Sequence, residues 1–207
     1  MPKQPAETHL RIRRLRRTDL PTDTISLARY LIGKTLVHET SATRISGRIV
    51  ESEAYPVGDT AGHAYGGLTP SRRSLFLPRG HAYVYFTYGS SFMMNVSSEV
   101  EGVGAGVLVR AVEPLEGIRF MERRRGTTRL LDLARGPGRL AQAMDINKRF
   151  DGMNLCSGGK LWLGAAVRPT GPIGASIRIG ITRDVNRLCR FYERGNPFVS
   201  GQKHMQK

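Results

Sequence analysis

The segment Glu51-Ser52-Glu53-Ala54-Tyr55 combines the residue types most suited to chemistry in this chain. On a strand, alternate side chains share a face, so Glu51, Glu53 and Tyr55 project together. Like charges crowded on one face raise a carboxylate's proton affinity, which suits a general base. The same spacing fits a solvated strand edge equally well. His63 follows ten residues after Glu53, in the Gly-rich stretch Gly62-His63-Ala64-Tyr65-Gly66-Gly67. It is either a loop residue facing solvent or a flat stacking surface with a backbone N–H beside it. No second His or Cys stands at ligand spacing, so a metal is disfavoured.

The run Tyr83-Val84-Tyr85-Phe86-Thr87-Tyr88 places Tyr83 and Tyr85 on one strand face and Phe86 and Tyr88 on the other. Half-buried sheet aromatics explain that pattern. Tyr88, however, precedes Gly89-Ser90-Ser91, a hairpin tip by composition, and an aromatic at such a tip can wedge between base pairs. Asn95 on the return strand offers both a donor and an acceptor, suited to a base edge or to bridging buried backbone. Arg110 interrupts the apolar run Val107-Leu108-Val109-Arg110-Ala111-Val112, and a buried Arg requires a partner such as Glu53. Arg135-Gly136-Pro137-Gly138-Arg139 opens a helix whose free N–H groups suit phosphate. Arg72, Arg73, Lys148 and Arg149 extend a possible basic surface.

These groups need a scaffold, and the composition supplies one. The chain has 207 residues, enough for one domain with its own core. Lys and Arg number 32 against 17 Asp and Glu, a net +15 that favours polyanionic partners, nucleic acid first. No apolar stretch approaches the ~20 residues of a membrane span, and no signal-peptide pattern opens the chain. Cys156 and Cys189 are far apart and read as reduced thiols. Neither a metal nor another cofactor is expected.

The pattern predicts a loosely held basic lead-in over residues 1–23, one domain over 24–201 and a tail over 202–207. Asp23 or Thr24 caps a first helix through Leu31 that Gly33 ends. Strands are expected over 35–38, 43–53, 81–88, 93–97 and 106–112, then around 161–163, 177–181 and 188–192. A second helix is expected from Glu113 or Pro114 to about Arg125, and a third from about Gly136 through Met144. Strands in runs with helices apart indicate an α+β domain around a mainly antiparallel, curved sheet.

Taken in order, these motifs resemble the alkyladenine (3-methyladenine) DNA glycosylase family. Val50-Glu51-Ser52-Glu53-Ala54-Tyr55, His63, Thr69-Pro70, Tyr83-Val84-Tyr85 and Tyr88-Gly89 carry the resemblance. Met94-Asn95-Val96-Ser97-Ser98, the stretch from Val107 to Gly117, the stretch from Ala143 to Phe150, and Arg190-Phe191-Tyr192 with Arg194-Gly195-Asn196-Pro197 complete it. The resemblance implies a protruding, DNA-intercalating β-hairpin with Tyr88 as the wedge. It implies that Tyr55, His63 and Tyr85 enclose a flipped base, that the main-chain amide of His63 reads its edge, and that Asn95 rejects the amino group of normal guanine. Glu53 then activates water, held with help from Arg110 and the carbonyl of Ile179, while Leu108 lines the sugar side. Arg72, Arg73, Gly136 and Lys148 are expected against the DNA.

The resemblance further implies a monomer acting on double-stranded DNA with damaged purines, in a bacterial cytoplasm. Hydrolysis through an activated water leaves an abasic site without strand cleavage. The chain departs from vertebrate members in its small tip residues, Ser90 and Ser91, and lacks their long N-terminal extension. A non-catalytic nucleic-acid-binding domain would explain the charge and the aromatics but not Glu53, since an acid facing phosphate costs affinity. An RNA-directed hydrolase on the same fold is a third reading.

Overall fold

The computed structural model describes residues 9–87 and 89–201. It is an α+β fold built on one curled, wholly antiparallel sheet. The strands are β1 (Thr35–Glu39), β2 (Arg44–Tyr55), β3 (Ala82–Thr87), β4 (Ser91–Ser97), β5 (Gly106–Glu116), β6 (Leu161–Gly164), β7 (Ile173–Ser176) and β8 (Arg190–Glu193). They run in the order β3-β4-β5-β2-β1-β6, with β8 pairing β2 and β7. Among the described residues four α-helices flank the sheet: α1 (Thr24–Leu31), α2 (Ile118–Arg125), α3 (Leu130–Leu133) and α4 (Pro137–Ala143).

Strand β2 organises the sheet. Along one edge it pairs β1 through residues 44–48, then changes partner to β8 at Glu51, Ser52 and Glu53. Along the other edge β5 follows it throughout, with register shifts between Ile49 and Ser52. Such bulges bend a strand and re-aim its side chains. The two glutamates therefore sit where the sheet turns its corner.

The first helix forms as expected. Asp23 Oδ1 accepts from Ser26 N at 2.8 Å, and Leu27, Ala28 and Leu31 bury one face. Gly33 has φ +85 and leaves no room for a Cβ beside Thr170. The lead-in differs from expectation in its described part. Leu15 and Leu20 are core residues, and backbone bonds from Leu15 N to Leu163 O and from Ala165 N to Arg13 O seat the segment beside β6. Two buried leucines hold it in spite of its charge. Residues 1–8 and 202–207 lie outside the described residues, as does Tyr88.

Other boundaries shift for identifiable reasons. The second helix does not start at Glu113; β5 runs on to Glu116, and Gly117 at φ +70 makes the turn into α2. Pro114 is accommodated because the ladder is bulged there, Ser46 facing Glu116 and Gly47 facing Pro114. Residues 177–181 are not a strand. The ladder stops at Ser176, because the side chain of Arg178 turns inward and the N–H of Ile179 bonds a side chain instead of a neighbouring strand. The strand expected around 188–192 begins only at Arg190. The short helix α3 had no clear sequence signal.

Candidate active site

Glu53 is fully buried, and three donors meet its carboxylate. The main-chain N–H of Ile179 donates to Oε1 at 2.8 Å, and Arg110 Nη1 lies 3.2 Å from the same oxygen. The hydroxyl of Tyr55, on the same strand face, donates to Oε2 at 2.9 Å. Burial first, then the neighbouring carboxylate of Glu53, raises the Tyr55 phenol well above its usual range, so it stays a donor. Sequence resemblance assigned the carbonyl of Ile179 to this region; the structure places its amide on Glu53.

Glu51 is also fully buried but has a different neighbourhood. It accepts from Arg110 Nε at 2.9 Å, Arg190 Nε at 2.7 Å and Ser200 N at 2.7 Å. Burial pushes its carboxyl up, yet Arg110 and Arg190 outweigh that and hold it below the usual carboxylate value. Arg110 in turn is held above its ordinary value; burial opposes this, and Glu53 and Glu51 prevail.

A cavity of about 550 Å³ opens beside this cluster, a volume within the range of small-ligand sites. Tyr55, Arg110 and Ile179, which meet the Glu53 carboxylate, all line it, as do His63, Tyr83, Tyr85, Asn95 and Leu108. Register explains the gathering: Leu108 on β5 faces both Glu53 on β2 and Asn95 on β4, and Asn95 faces Tyr83 on β3. Aromatic rings form one wall. Tyr83 and Tyr85 stack with centroids 5.2 Å apart, and His63 tilts against Tyr85 at 4.3 Å. His63 Nδ1 and the Tyr83 hydroxyl are 2.9 Å apart. Enclosure by these rings, then the charge of Arg72, lowers the His63 pKa and favours the neutral imidazole. Burial raises the Tyr83 phenol. The main-chain amide of His63 opens a short 3-10 turn, a position whose N–H has no partner within its own helix.

Asn95 is buried, and its Nδ2 has no hydrogen-bond partner among the described residues. A buried amide nitrogen without a partner, on a side chain that lines a cavity, is a donor available to a ligand that reaches it. Of the basic candidates, Arg72 lines the cavity and Arg73 does not. Gly136 precedes Pro137, which does. Lys148 is set apart: its ammonium contacts Asp151 Oδ2 at 2.8 Å and the carbonyl of Val84 at 3.1 Å. Among the described residues no group of three or more His, Cys, Asp and Glu could hold a metal, and no helix is long and apolar enough to cross a membrane.

Sequence reasoning missed Tyr83 as a wall residue, Arg190 as a partner of Glu51, and the buried pair Asp59–Arg178. The last had a signal. Arg178 lies in Ile177-Arg178-Ile179-Gly180-Ile181, the same pattern of an Arg among apolar residues that pointed to Arg110.

Comparison with known proteins agrees with the geometry. The family model of methylpurine-DNA glycosylase (MPG) matches residues 18–197. A protein of Mesorhizobium japonicum named "Putative 3-methyladenine DNA glycosylase" is 60% identical over 191 residues, covering 92% of each chain. Proteins with the same name from Paraburkholderia phytofirmans and Clostridium acetobutylicum are 53% and 42% identical, each over 191 residues, covering 92% and 86% of this chain and 90% and 93% of their own. With a cavity of aromatic walls and a buried, donor-held glutamate, and with this extent of similarity, the chain belongs to the methylpurine-DNA glycosylase family.

Proposed function

We propose that this chain excises alkylated purines, 3-methyladenine and 7-methylguanine among them, from double-stranded DNA by hydrolysing the N-glycosidic bond, with Glu53 as the general base. The observation that carries this reading is the setting of Glu53 behind three cavity-lining donors. A carboxylate has about four lone-pair sites. Ile179 and Tyr55 donate to two of them and Arg110 Nη1 lies 3.2 Å from Oε1, so a water meeting a remaining site would be oriented by the same groups that line the cavity.

Alkylation at N3 or N7 makes the purine cationic and a good leaving group. One carboxylate then suffices: it accepts a proton from water while its charge stabilises the oxocarbenium-like sugar. Neutral lesions such as hypoxanthine and ethenoadenine leave less readily and are slower candidates. The base would stack between Tyr55 and the His63–Tyr85 wall. Stacking returns roughly 1–3 kcal/mol per base, enough to offset the few kcal/mol of flipping. Tyr88 fills the vacated space in the duplex. Arg72, Arg73, Gly136 and Lys148 lie toward the phosphates.

No lysine is among the described residues lining the cavity, so a Schiff-base route to strand cleavage has no nucleophile there. The product is an abasic site. The enzyme acts as a monomer in the bacterial cytoplasm, where its DNA lies.

Glu53→Gln tests the reading. It retains the shape of the side chain and leaves Arg110 paired with Glu51. Release of 7-methylguanine from alkylated duplex should be lost while binding to DNA with an abasic-site analogue persists. Full release by the variant would overturn the role of Glu53, and release from RNA but not DNA would overturn the substrate.

A further inference from the structure

Residues 178–187 run along one side of the cavity, and Ile179, Gly180, Ile181, Thr182 and Arg183 contribute to its lining. Two carboxylates fasten this segment to the loop at residues 59–60. Asp59 Oδ2 lies 2.8 Å from Arg178 Nη1 and accepts from Arg187 Nη1 at 2.9 Å. Its Oδ1 accepts from Arg178 Nη2 at 3.1 Å. Asp184 closes the clasp from the other side, accepting from Thr60 N at 2.7 Å and Thr60 Oγ1 at 2.8 Å. The side chains of Asp59 and Arg178 are both fully buried. Burying an ion pair is costly and often no more stabilising than an apolar pair, so stability alone does not account for it.

Arg178 also reaches both halves of the site. Its Nη1 donates to the carbonyl of Ala54 at 3.0 Å, in the peptide that joins Ala54 to Tyr55. Its guanidinium carbon sits 4.6 Å from the centre of the Tyr55 ring. The next residue in the chain, Ile179, supplies the N–H that holds Glu53 Oε1. One buried side chain thus touches the Tyr55 ring, the peptide that leads into Tyr55 and the segment whose amide holds Glu53.

We propose that Arg178, clamped by Asp59 and Arg187, is a positioning residue for base excision: it sets the Ile179 amide and the Tyr55 ring against Glu53 without touching the substrate. The proposal rests on Glu53 as the general base. A misplacement of about 1 Å at a reacting group can cost about 100-fold in rate, so a role in positioning is read in the chemical step and not in affinity.

Arg178→Lys keeps the charge and loses the fork that spans Asp59 and Ala54. Single-turnover release of 7-methylguanine should fall at least about 10-fold, with affinity for DNA holding an abasic-site analogue within about threefold of the parent. Arg187→Met trims only the half-exposed arm of the clasp; it should leave the melting temperature unchanged and slow release about two- to fivefold. An Arg187→Met rate equal to the parent's would overturn the clasp even if Arg178→Lys does not fold. A folded Arg178→Lys that releases base at the parental rate, or loses rate only in proportion to affinity, would overturn the role of Arg178. Failure of the parent chain itself to release base would strike the proposed function instead.

Discussion

Arg110 bonds Glu51 more closely than Glu53: Nε donates to Glu51 Oε1 at 2.9 Å, while Nη1 lies 3.2 Å from Glu53 Oε1. One guanidinium spans two carboxylates that strand alternation puts on one face. The division of labour follows. Glu51 takes two of its three partners, Arg190 and Ser200, from residues that do not line the cavity, and shares the third, Arg110, with Glu53. Glu53 takes its three from residues that line the cavity. The carboxylate held by the scaffold and the one proposed as general base are therefore two residues apart and share a cation.

That division predicts opposite outcomes for the two glutamine variants. Glu51→Gln leaves Arg110 and Arg190 buried with one anion fewer, and breaking a buried pair costs about 3–5 kcal/mol. It should lower stability to denaturant by about 3 kcal/mol or more. Glu53→Gln should lose much less, because Arg110 keeps Glu51. Denaturant melts of the two variants side by side check this. Equal losses would show that the two carboxylates share one role.

The strand alternation that gathers Glu51, Glu53 and Tyr55 was legible in the sequence because it is a local, period-two property. So were the cap of α1 by Asp23 and the need of Arg110 for a partner. Which partner was not legible, because the choice between Glu51 and Glu53 depends on bulges in β2 that no local signal marks. The amide of Ile179 was hidden for the same kind of reason: residues 177–181 have the apolar alternation of a strand, and only the inward turn of Arg178 toward Asp59, 119 positions away, breaks the ladder. At residues 177–181 a long-range ion pair overrides the local pattern.

The buried pair Arg48–Glu193 bears on stability in acid. Glu193 accepts from both terminal nitrogens of Arg48, from the N–H of Gly171 and from Asn196. Burial pushes its carboxyl up, but the hydrogen bonds from Arg48, Gly171 and Asn196 and the charge of Arg48 bring it from 4.5 down to about 2. A folded-state value below the unfolded one means that Glu193 contributes stability above pH 4.5, and that this is lost as pH falls toward about 2. Glu51, also depressed, acts in the same direction. Urea melts taken across that window should show stability falling with pH, and Glu193→Gln should flatten the fall while lowering the plateau above it. An unchanged slope in the variant would remove Glu193 from the account.

Selectivity against normal guanine is the outcome most directly tied to an open hydrogen-bond site. Asn95 Nδ2 is buried and unpaired among the described residues, on a side chain that lines the cavity between Tyr83 and Leu108. Guanine carries an exocyclic amino group, itself a donor, on its minor-groove edge. A donor brought against this donor leaves two buried groups unsatisfied, at about 1–3 kcal/mol each. Adenine and hypoxanthine lack that group and escape the penalty; 7-methylguanine carries it, but its cationic ring is a better leaving group than normal guanine and offsets the penalty. Asn95→Ala removes the fixed donor and makes room for the amino group. It should raise release of guanine from undamaged duplex by about 10-fold or more relative to the parent. Release of hypoxanthine from the same sequence context should change little. If guanine release stays at the parental level while hypoxanthine release falls, Asn95 binds the correct base and does not exclude the wrong one.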